Sequence, residues 1–199
     1  MDIKYLGWQS FLLKGKEASV VTQPFSKQDG ADFPKIKADI ILGNKLSKML
    51  GKKKKPVFFY GPGEYEVSGV EVQGFRGGFW FMLDGRGITW LYEYDEYEKA
   101  PEASTDLLFI GITQGNGDWE KRVEKILSHF SPAYIFPFPT GDTSLSKEQL
   151  KSFSWSKRFL DMVDEEKLDP IDLLQIADTQ ELGEEKNIVL LNPSISSRI

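Results

Sequence analysis

Short β-forming segments separated by glycine-containing turns run through the first half of this chain, and they constrain its fold more than any other feature. Segments of this kind, bounded by turn residues, predict strands joined by hairpins. The pair Asp84-Gly85 lies between two of the segments and is a favoured two-residue hairpin turn. The predicted strands cover residues 3–6, 10–13, 18–22, 38–42, 57–60, 65–67, 70–73, 79–83 and 88–92. We therefore expect a strand meander in this half of the chain.

The second half of the chain alternates strands with helices. Residues 107–112 and 133–136 are apolar runs typical of buried strands, and residues 188–191 predict a closing strand. An amphipathic helix is expected to follow Asp118 as its cap. Its apolar face, at helical spacing, consists of Trp119, Val123, Ile126, Leu127 and Phe130.

Two further helices are predicted from their terminal residues. A short helix is expected over residues 44–51, where it ends at a glycine. Ser146 and Gln149 have the spacing of a capping box for a helix that runs towards Val163. A meander followed by strand–helix alternation predicts sheets covered by helices in a single domain, residues 1–199.

The composition is that of an ordinary globular protein. With 199 residues, 40% of them hydrophobic and 28% charged, the chain is long enough to bury one substantial core. No apolar run approaches the roughly 18 residues that a membrane helix needs. The first residues also lack the basic and apolar regions of a signal peptide. We therefore expect a cytoplasmic protein that does not enter a membrane.

The supply of metal-binding side chains is very small, because the chain has one histidine, His129, and no cysteine. Catalytic zinc sites usually take about three protein ligands, mainly imidazole or thiolate. The sequence therefore predicts no such site and no cofactor, and it excludes disulfides and thiolate catalysis. His129 lies near the end of an amphipathic helix, where an interaction with the helix dipole explains it. The net charge of −5 argues against general attraction to nucleic acid.

Three segments of the chain together resemble one known family. They are Tyr5-Leu6-Gly7-Trp8-Gln9-Ser10-Phe11, Gln23-Pro24-Phe25 and Gly61-Pro62-Gly63-Glu64-Tyr65-Glu66-Val67-Ser68-Gly69-Val70. In sequence and order they resemble the small stand-alone zinc-dependent hydrolases of the metallo-β-lactamase superfamily, and the resemblance runs nearly end to end. It implies an α/β (α+β) fold, a four-layer αββα sandwich.

The same resemblance places the family's metal ligands at positions where this chain has other residues. The family's first histidine corresponds to Trp8, and its His-x-His-x-Asp-His signature corresponds to the stretch after predicted strand 38–42. A later His-Leu-Gly-Asp motif corresponds to residues 90–93, and the last histidine to Pro139. These degenerate former-site positions are Trp8, Asn44, Leu46, Lys48, Met49, Trp90, Glu93 and Pro139. Because most replacements are large or apolar, we expect side chains to fill the former cleft.

Other residues allow different interpretations. Glu64, Glu66 and Glu93, with Asp95, offer oxygen ligands for a hard cation such as magnesium. Alternation along a strand also explains Glu64 and Glu66 as part of a solvent-exposed face. The candidate interaction residues are Tyr92, Tyr94, Tyr97, Lys52, Lys53, Lys54 and Lys55. The tyrosines fit either core packing or an aromatic protein-binding surface, and the lysines fit either a solvated turn or phosphate contact.

Three functions are compatible with this pattern. The leading hypothesis is a non-catalytic pseudo-hydrolase that acts as a scaffold or interaction protein, either by self-association or by pairing with an active relative. The second is a remodelled hydrolase that uses carboxylates such as Glu64 and Glu93 without the family's metal site. The third is a nucleic-acid-binding module that works through the lysines at 52–55.

Overall fold

Two β-sheets face each other across an apolar interior in the computed structural model of this chain. The structure describes residues 1–25, 33–43, 56–94, 96–112, 118–140, 145–165, 168–177, 180–183 and 185–195. The strands are β1 (Asp2–Gly7), β2 (Ser10–Lys14), β3 (Ser19–Thr22), β4 (Ile40–Leu42), β5 (Val57–Phe59), β6 (Gly63–Val67), β7 (Val70–Phe75), β8 (Gly78–Leu83), β9 (Arg86–Leu91), β10 (Leu107–Ile112), β11 (Tyr134–Pro139), β12 (Leu174–Gln175) and β13 (Asn187–Ile188). The helices are α1 (Trp119–Phe130), α2 (Lys147–Ser152) and α3 (Lys157–Met162).

The first sheet has the strand order β12-β1-β2-β3-β4-β5. Strands β1, β2 and β3 are consecutive and antiparallel, whereas β4 and β5 add parallel to β3. Because β1, β3, β4 and β5 run in the same direction, their carboxyl ends lie along one edge of this sheet.

The second sheet has the strand order β13-β11-β10-β9-β8-β7-β6. Strands β6 to β9 form the predicted antiparallel meander, and β9, β10, β11 and β13 are parallel. The Asp84-Gly85 turn is confirmed, since both residues have positive φ, as a type I′ turn requires. The turn Ser68-Gly69 between β6 and β7 has the same geometry.

Aromatic side chains from both sheets fill the space between them. Phe11 of β2 lies with its ring centroid 4.7 Å from that of Phe109 on β10, and Phe109 stacks on Phe136 at 4.4 Å. Offset and edge-on contacts of this kind stabilise a core beyond the burial of apolar area alone. The sandwich therefore has a packed interior that joins the two sheets.

Helices cover the outer faces of both sheets. Helix α1 buries Trp119, Val123 and Ile126 in a cluster that also contains residues of β10. On the other side, Leu150 of α2 joins an apolar cluster on the outer face of the first sheet. The expected αββα arrangement is confirmed. The described part of the chain contains no helix long and apolar enough to cross a membrane.

The predicted helix from Ser146 towards Val163 is wrong in its length. The capping box between Ser146 and Gln149 is confirmed, but α2 ends at Ser152, and its C-cap residue Phe153 adopts a left-handed conformation with φ of 54°. A 3-10 turn and then α3 follow. The Ser152 hydroxyl donates to the Gln149 carbonyl, and such bonds compete with the helical pattern.

Two strand predictions near the end of the chain also need correction. The closing strand covers only Asn187–Ile188, although Leu191 forms an isolated parallel bridge with Ile171, and β12 was not predicted. Strand β11 extends to Pro139 although it contains two prolines. The Thr140 amide donates to the Ile112 carbonyl, so by alternation Pro137 and Pro139 turn their nitrogens away from β10. A proline is tolerated where its strand has no ladder bond to donate.

Candidate functional site

The ends of parallel strands from both sheets meet at one edge of the sandwich. We call this the carboxyl edge; it is where β1, β3, β4, β9, β10 and β11 end. The ring of Phe11, opposite the end of β1, lies 5.6 Å from the ring of Phe138 at the end of β11, so the two sheets end at the same level. Ligands of sheets with parallel strands commonly bind at such an edge.

Trp8 occupies the turn that follows β1 at this edge. It has φ of 51° and is only 5% exposed. Its ring lies 4.8 Å from Phe25, and both belong to the apolar cluster on the outer face of the first sheet. Its carbonyl accepts a 2.7 Å hydrogen bond from the Tyr5 hydroxyl. Trp8 is therefore a packed structural residue of the turn.

Side-chain hydrogen bonds fix the backbone around this turn, and sequence analysis missed them. The Thr22 hydroxyl accepts from the Phe11 amide at 2.9 Å and donates to the Gln9 carbonyl at 2.8 Å. The Ser10 hydroxyl donates to the Thr22 carbonyl at 2.8 Å. The serine in the first family-like motif was the available signal, because a buried hydroxyl needs a partner.

Trp90, near the end of β9, lies inside the sandwich. It is completely buried, with its ring 4.8 Å from Tyr92 and 6.4 Å from Phe138. The indole N–H groups of Trp8 and Trp90 are both buried, and neither has a hydrogen-bond partner among the described residues. Both rings fill space with apolar surface, and each leaves one polar donor unsatisfied.

Glu93 and Pro139 lie at the same edge in different environments. Pro139 is buried at the end of β11, whereas Glu93 is exposed to solvent after β9. The Glu93 amide donates to the Gly77 carbonyl at 3.1 Å. Gly77 has φ of 93°, and a Cβ at this position would lie 2.8 Å from the Glu93 carbonyl oxygen. This close approach requires glycine at position 77.

The three candidate tyrosines do not form one surface stripe, because β9 ends at Leu91, before the first of them. Tyr92 is half-buried against the core between the sheets, whereas Tyr94 and Tyr97 pack against the outer cluster under α1. Burial raises the pKa of the Tyr92 hydroxyl, and the negative charge of Glu93 raises it further. Packing therefore accounts for most of the surface of these rings.

The donor set does not fit a zinc centre. Within the described ranges, no three His, Cys, Asp or Glu side chains are grouped so that they could hold a metal ion. His129 is exposed in the last turn of α1, with its ring edge-on to Tyr97 at 5.2 Å. The carboxylates Glu64 and Glu66 lie on β6, on the far side of β7 and β8 from Glu93.

Several predicted site residues lie outside the described residues. They are Asn44, Leu46, Lys48, Met49, Lys52, Lys53, Lys54, Lys55 and Asp95. The predicted helix over residues 44–51 lies outside them as well.

Comparison with known proteins shows what this chain is similar to. Residues 2–98 match the family model described as the beta-lactamase superfamily domain. Over residues 2–98, just under half of the chain, the sequence is therefore similar to this superfamily. No curated protein matches it in sequence.

Solved structures share the superfamily fold over nearly the whole chain. A Thermotoga maritima protein described as a zinc-dependent hydrolase of the metallo-β-lactamase superfamily superposes with a TM-score of 0.71 at 18% identity, covering 96% of this chain and 98% of that one. A metal-dependent hydrolase from Parabacteroides distasonis gives a TM-score of 0.59 at 15% identity, with coverages of 96% and 93%. A metallo hydrolase from Ignicoccus hospitalis gives 0.50 at 9% identity, with coverages of 96% and 95%. Identities this low establish the fold alone.

The positions that the sequence resemblance compares with the family's metal ligands lie at one edge, where the structure describes them, but they do not form one site. Trp8, Trp90, Glu93 and Pro139 all lie at the carboxyl edge. However, the two indole rings belong to different apolar clusters on opposite faces of the first sheet. Sequence analysis also missed Thr140, whose buried hydroxyl at this edge has no hydrogen-bond partner in the part of the chain that the structure describes.

Proposed function

We propose that this chain is a pseudo-hydrolase, a non-catalytic member of the metallo-β-lactamase superfamily that acts as an interaction protein. The observation that carries the proposal is the packing of Trp8 and Trp90. Both stand where the sequence resemblance puts family histidines, and both are buried in apolar clusters. An indole N–H is a hydrogen-bond donor only, so neither ring can take the place of a metal-binding imidazole.

The scarcity of other donors supports the same proposal. The chain contains one histidine and no cysteine, and that histidine lies on α1 next to Tyr97. Pro139 stands where the sequence resemblance puts the family's last histidine, and its side chain has no atom that can bind a metal ion. A hydrolytic zinc centre needs about three suitable ligands and an open coordination position. Apart from His129, this chain would have to supply these ligands from carboxylates, which suit harder cations.

Metal analysis tests the loss of the hydrolytic centre. The chain is purified without chelator, supplied with excess zinc, desalted and measured by elemental mass spectrometry. The Thermotoga maritima protein, described as a zinc-dependent hydrolase, is treated in parallel as the control. We expect zinc far below one ion per chain here and retained zinc in the control. Stoichiometric zinc or iron, together with turnover of an ester, lactone or phosphodiester, would overturn the proposal.

A metal-free hydrolase must be tested separately, because a negative zinc result does not address it. The same substrates are offered to the chelator-treated wild type and to Glu93→Gln. We expect no turnover above the buffer rate from either protein. A wild-type rate that falls in Glu93→Gln would support the remodelled hydrolase and end the pseudo-hydrolase proposal.

A further inference from the structure

We propose that the open edge of β6 is the docking site for an extended, basic segment of a partner protein. This inference rests on the proposed interaction function, and it specifies where a partner binds and what chemistry it carries. Three independent properties of β6 lead to it: its free peptide groups, its half-covered apolar face and its unbalanced negative charge.

Strand β6 presents free backbone groups at the end of the second sheet. Among the described residues it pairs only with β7. Val67 faces Val70 across the two-residue turn, and such closing pairs exchange both backbone hydrogen bonds. Because hydrogen-bonded and non-bonded pairs alternate, Tyr65 also bonds to β7. The peptide groups of Glu64 and Glu66 therefore point to the open side, where another strand can bind them.

The inner face of β6 is apolar and only half-covered. Tyr65 and Val67 are partly buried against the core, and Phe59 of β5 stacks on Tyr65 at 4.2 Å. Three large hydrophobic side chains are exposed in the described part of the chain, and two of them, Val57 at 39% and Tyr60 at 69%, lie on or just after β5. A strand added beside β6 would cover apolar surface on this side of the sandwich.

The outer face of β6 and β7 carries carboxylates that no cation among the described residues pairs with. Glu64, Glu66 and Glu71 are exposed, and Glu66 lies directly opposite Glu71 in the hairpin register. None of the three forms an ion pair with any residue that the structure describes. Like charges directly opposite on neighbouring strands destabilise a sheet.

Protection of the edge does not account for this charge pattern. Charged residues on an edge strand discourage aggregation, which explains Glu64 and Glu66. Glu71 lies on β7, inside the sheet, where its charge adds repulsion to the hairpin without blocking the edge. A basic partner offsets all three charges, so complementarity favours a cationic occupant.

The geometry specifies how such a segment would lie. Antiparallel to β6, alternate basic side chains would face Glu64 and Glu66, and the apolar side chains between them would lie beside Tyr65 and Val67. A second copy of the chain fits less well, because antiparallel pairing of β6 with itself puts Glu64 opposite Glu66. The occupant is therefore a segment that alternates apolar with lysine or arginine residues.

Titration with a defined peptide tests this docking site. The probe is a short fluorescent peptide of alternating valine and lysine, measured by anisotropy against the full chain at several salt concentrations. A second peptide, N-methylated at its lysine amides, keeps the charge but loses the donors that face β6. The charge variant is Glu64→Lys with Glu66→Lys. The matched control is Glu102→Lys with Glu124→Lys, which changes the net charge equally at exposed positions away from β6.

We expect saturable binding that weakens with salt, a loss of roughly tenfold or more in the β6 variant, and less than about twofold in the control. The N-methylated peptide should bind the wild-type chain no more tightly than the unmodified peptide binds the β6 variant. Equal loss in both double variants, or equal binding of both peptides, would reduce the effect to net charge and overturn the site. If the wild type sediments as a dimer and the β6 variant as a monomer, the occupant of this edge is a second copy of the chain and not a basic partner segment.

The same variants separate this inference from the proposed function. If a purified partner still binds the β6 variant, the docking site is wrong and the interaction function stands. If the chain proves to be a metal-dependent hydrolase while the peptide results hold, the proposed function fails and the docking site stands. Circular dichroism and thermal unfolding of each variant confirm that a loss of binding is not a loss of fold.

Discussion

Two buried tryptophans at the carboxyl edge combine apolar packing with an unsatisfied polar group. Trp90 is completely buried among aromatic rings, and the Tyr5 hydroxyl holds the Trp8 carbonyl. Each indole adds apolar contact but buries an N–H group without a partner. An unsatisfied buried donor costs about 1–3 kcal/mol, which is comparable to the gain from burying a large side chain. Substitutions can therefore measure how much each tryptophan contributes to the free energy of unfolding.

Replacing Trp90 with alanine should strongly destabilise the fold. Removing a large buried aromatic side chain costs about 3–5 kcal/mol, because the surrounding rings cannot close the cavity. Trp90→Phe should cost less, since it keeps a ring and removes the unpartnered N–H. Urea unfolding measures both, with Tyr60→Ala, at a position 69% exposed, as the control, which should change stability by less than about 0.5 kcal/mol. A Trp90→Ala protein as stable as the control would show that the ring is not part of the core.

Tyr5 should make the stability of the protein sensitive to alkaline pH. Burial raises the pKa of its hydroxyl well above the ordinary value of 10.0. A raised folded-state pKa contributes stability that is complete below the unfolded pKa and is lost as pH rises towards the folded pKa. Tyr5→Phe should cost about 1 kcal/mol at neutral pH, through the lost bond to Trp8, and this difference should shrink above pH 10. Unfolding at several pH values checks this, and a constant difference would contradict it.

At the scale of elements, strands, turns and helix faces with a strong local sequence pattern were predictable. Features that depend on which elements pack together were not. The meander from β6 to β9, the Asp84-Gly85 turn and the apolar face of α1 follow from local sequence, and all three are confirmed. The two-residue strand β12 is too short to have a sequence pattern. The extension of β11 over two prolines depends on which side of the strand its neighbour occupies, which no local pattern records.

For the candidate site too, the sequence indicated which residues to consider but not how they are arranged in space. The sequence resemblance indicated which positions differ from the family, and the structure places Trp8 and Trp90 in apolar packing. Their separation into two clusters depends on the left-handed turn at Trp8, which the residue type does not predict. The free edge of β6 was also hidden, because edge position is a property of strand order.

The capping box of α2 should contribute measurably although the helix is short. The Ser146 hydroxyl accepts from the Gln149 amide at 3.2 Å, and the Gln149 side chain accepts from the Ser146 amide at 2.8 Å. Ser146→Ala should cost about 1 kcal/mol, because it exposes an unpaired amide at the helix start. Thermal unfolding measures the effect, with the exposed Ser128→Ala on α1 as the control. Equal stability of the two variants would show that α2 does not depend on its cap.

At the scale of the whole molecule, the two halves of the chain form one core. The family match covers residues 2–98, but the second sheet continues into β10 and β11, which lie beyond that match. Phe11, from the first half, contacts both Phe109 and Phe138, from the second half. Contacts of this kind make the stability of each sheet depend on the other.

We therefore predict that residues 1–199 unfold in a single cooperative transition and that the piece 1–102, cut in the exposed segment 102–104, does not fold alone. This piece lacks β10, β11 and α1, so the parallel side of β9 and the ring of Trp90 lose their cover. Tryptophan fluorescence and far-ultraviolet circular dichroism should give coincident unfolding curves for the full chain. The piece should show no cooperative transition until residues 103–199 are added. A cooperative transition in the isolated piece would mean that the first half forms a domain of its own, because the buried contacts between Phe11 and β10 would then be dispensable.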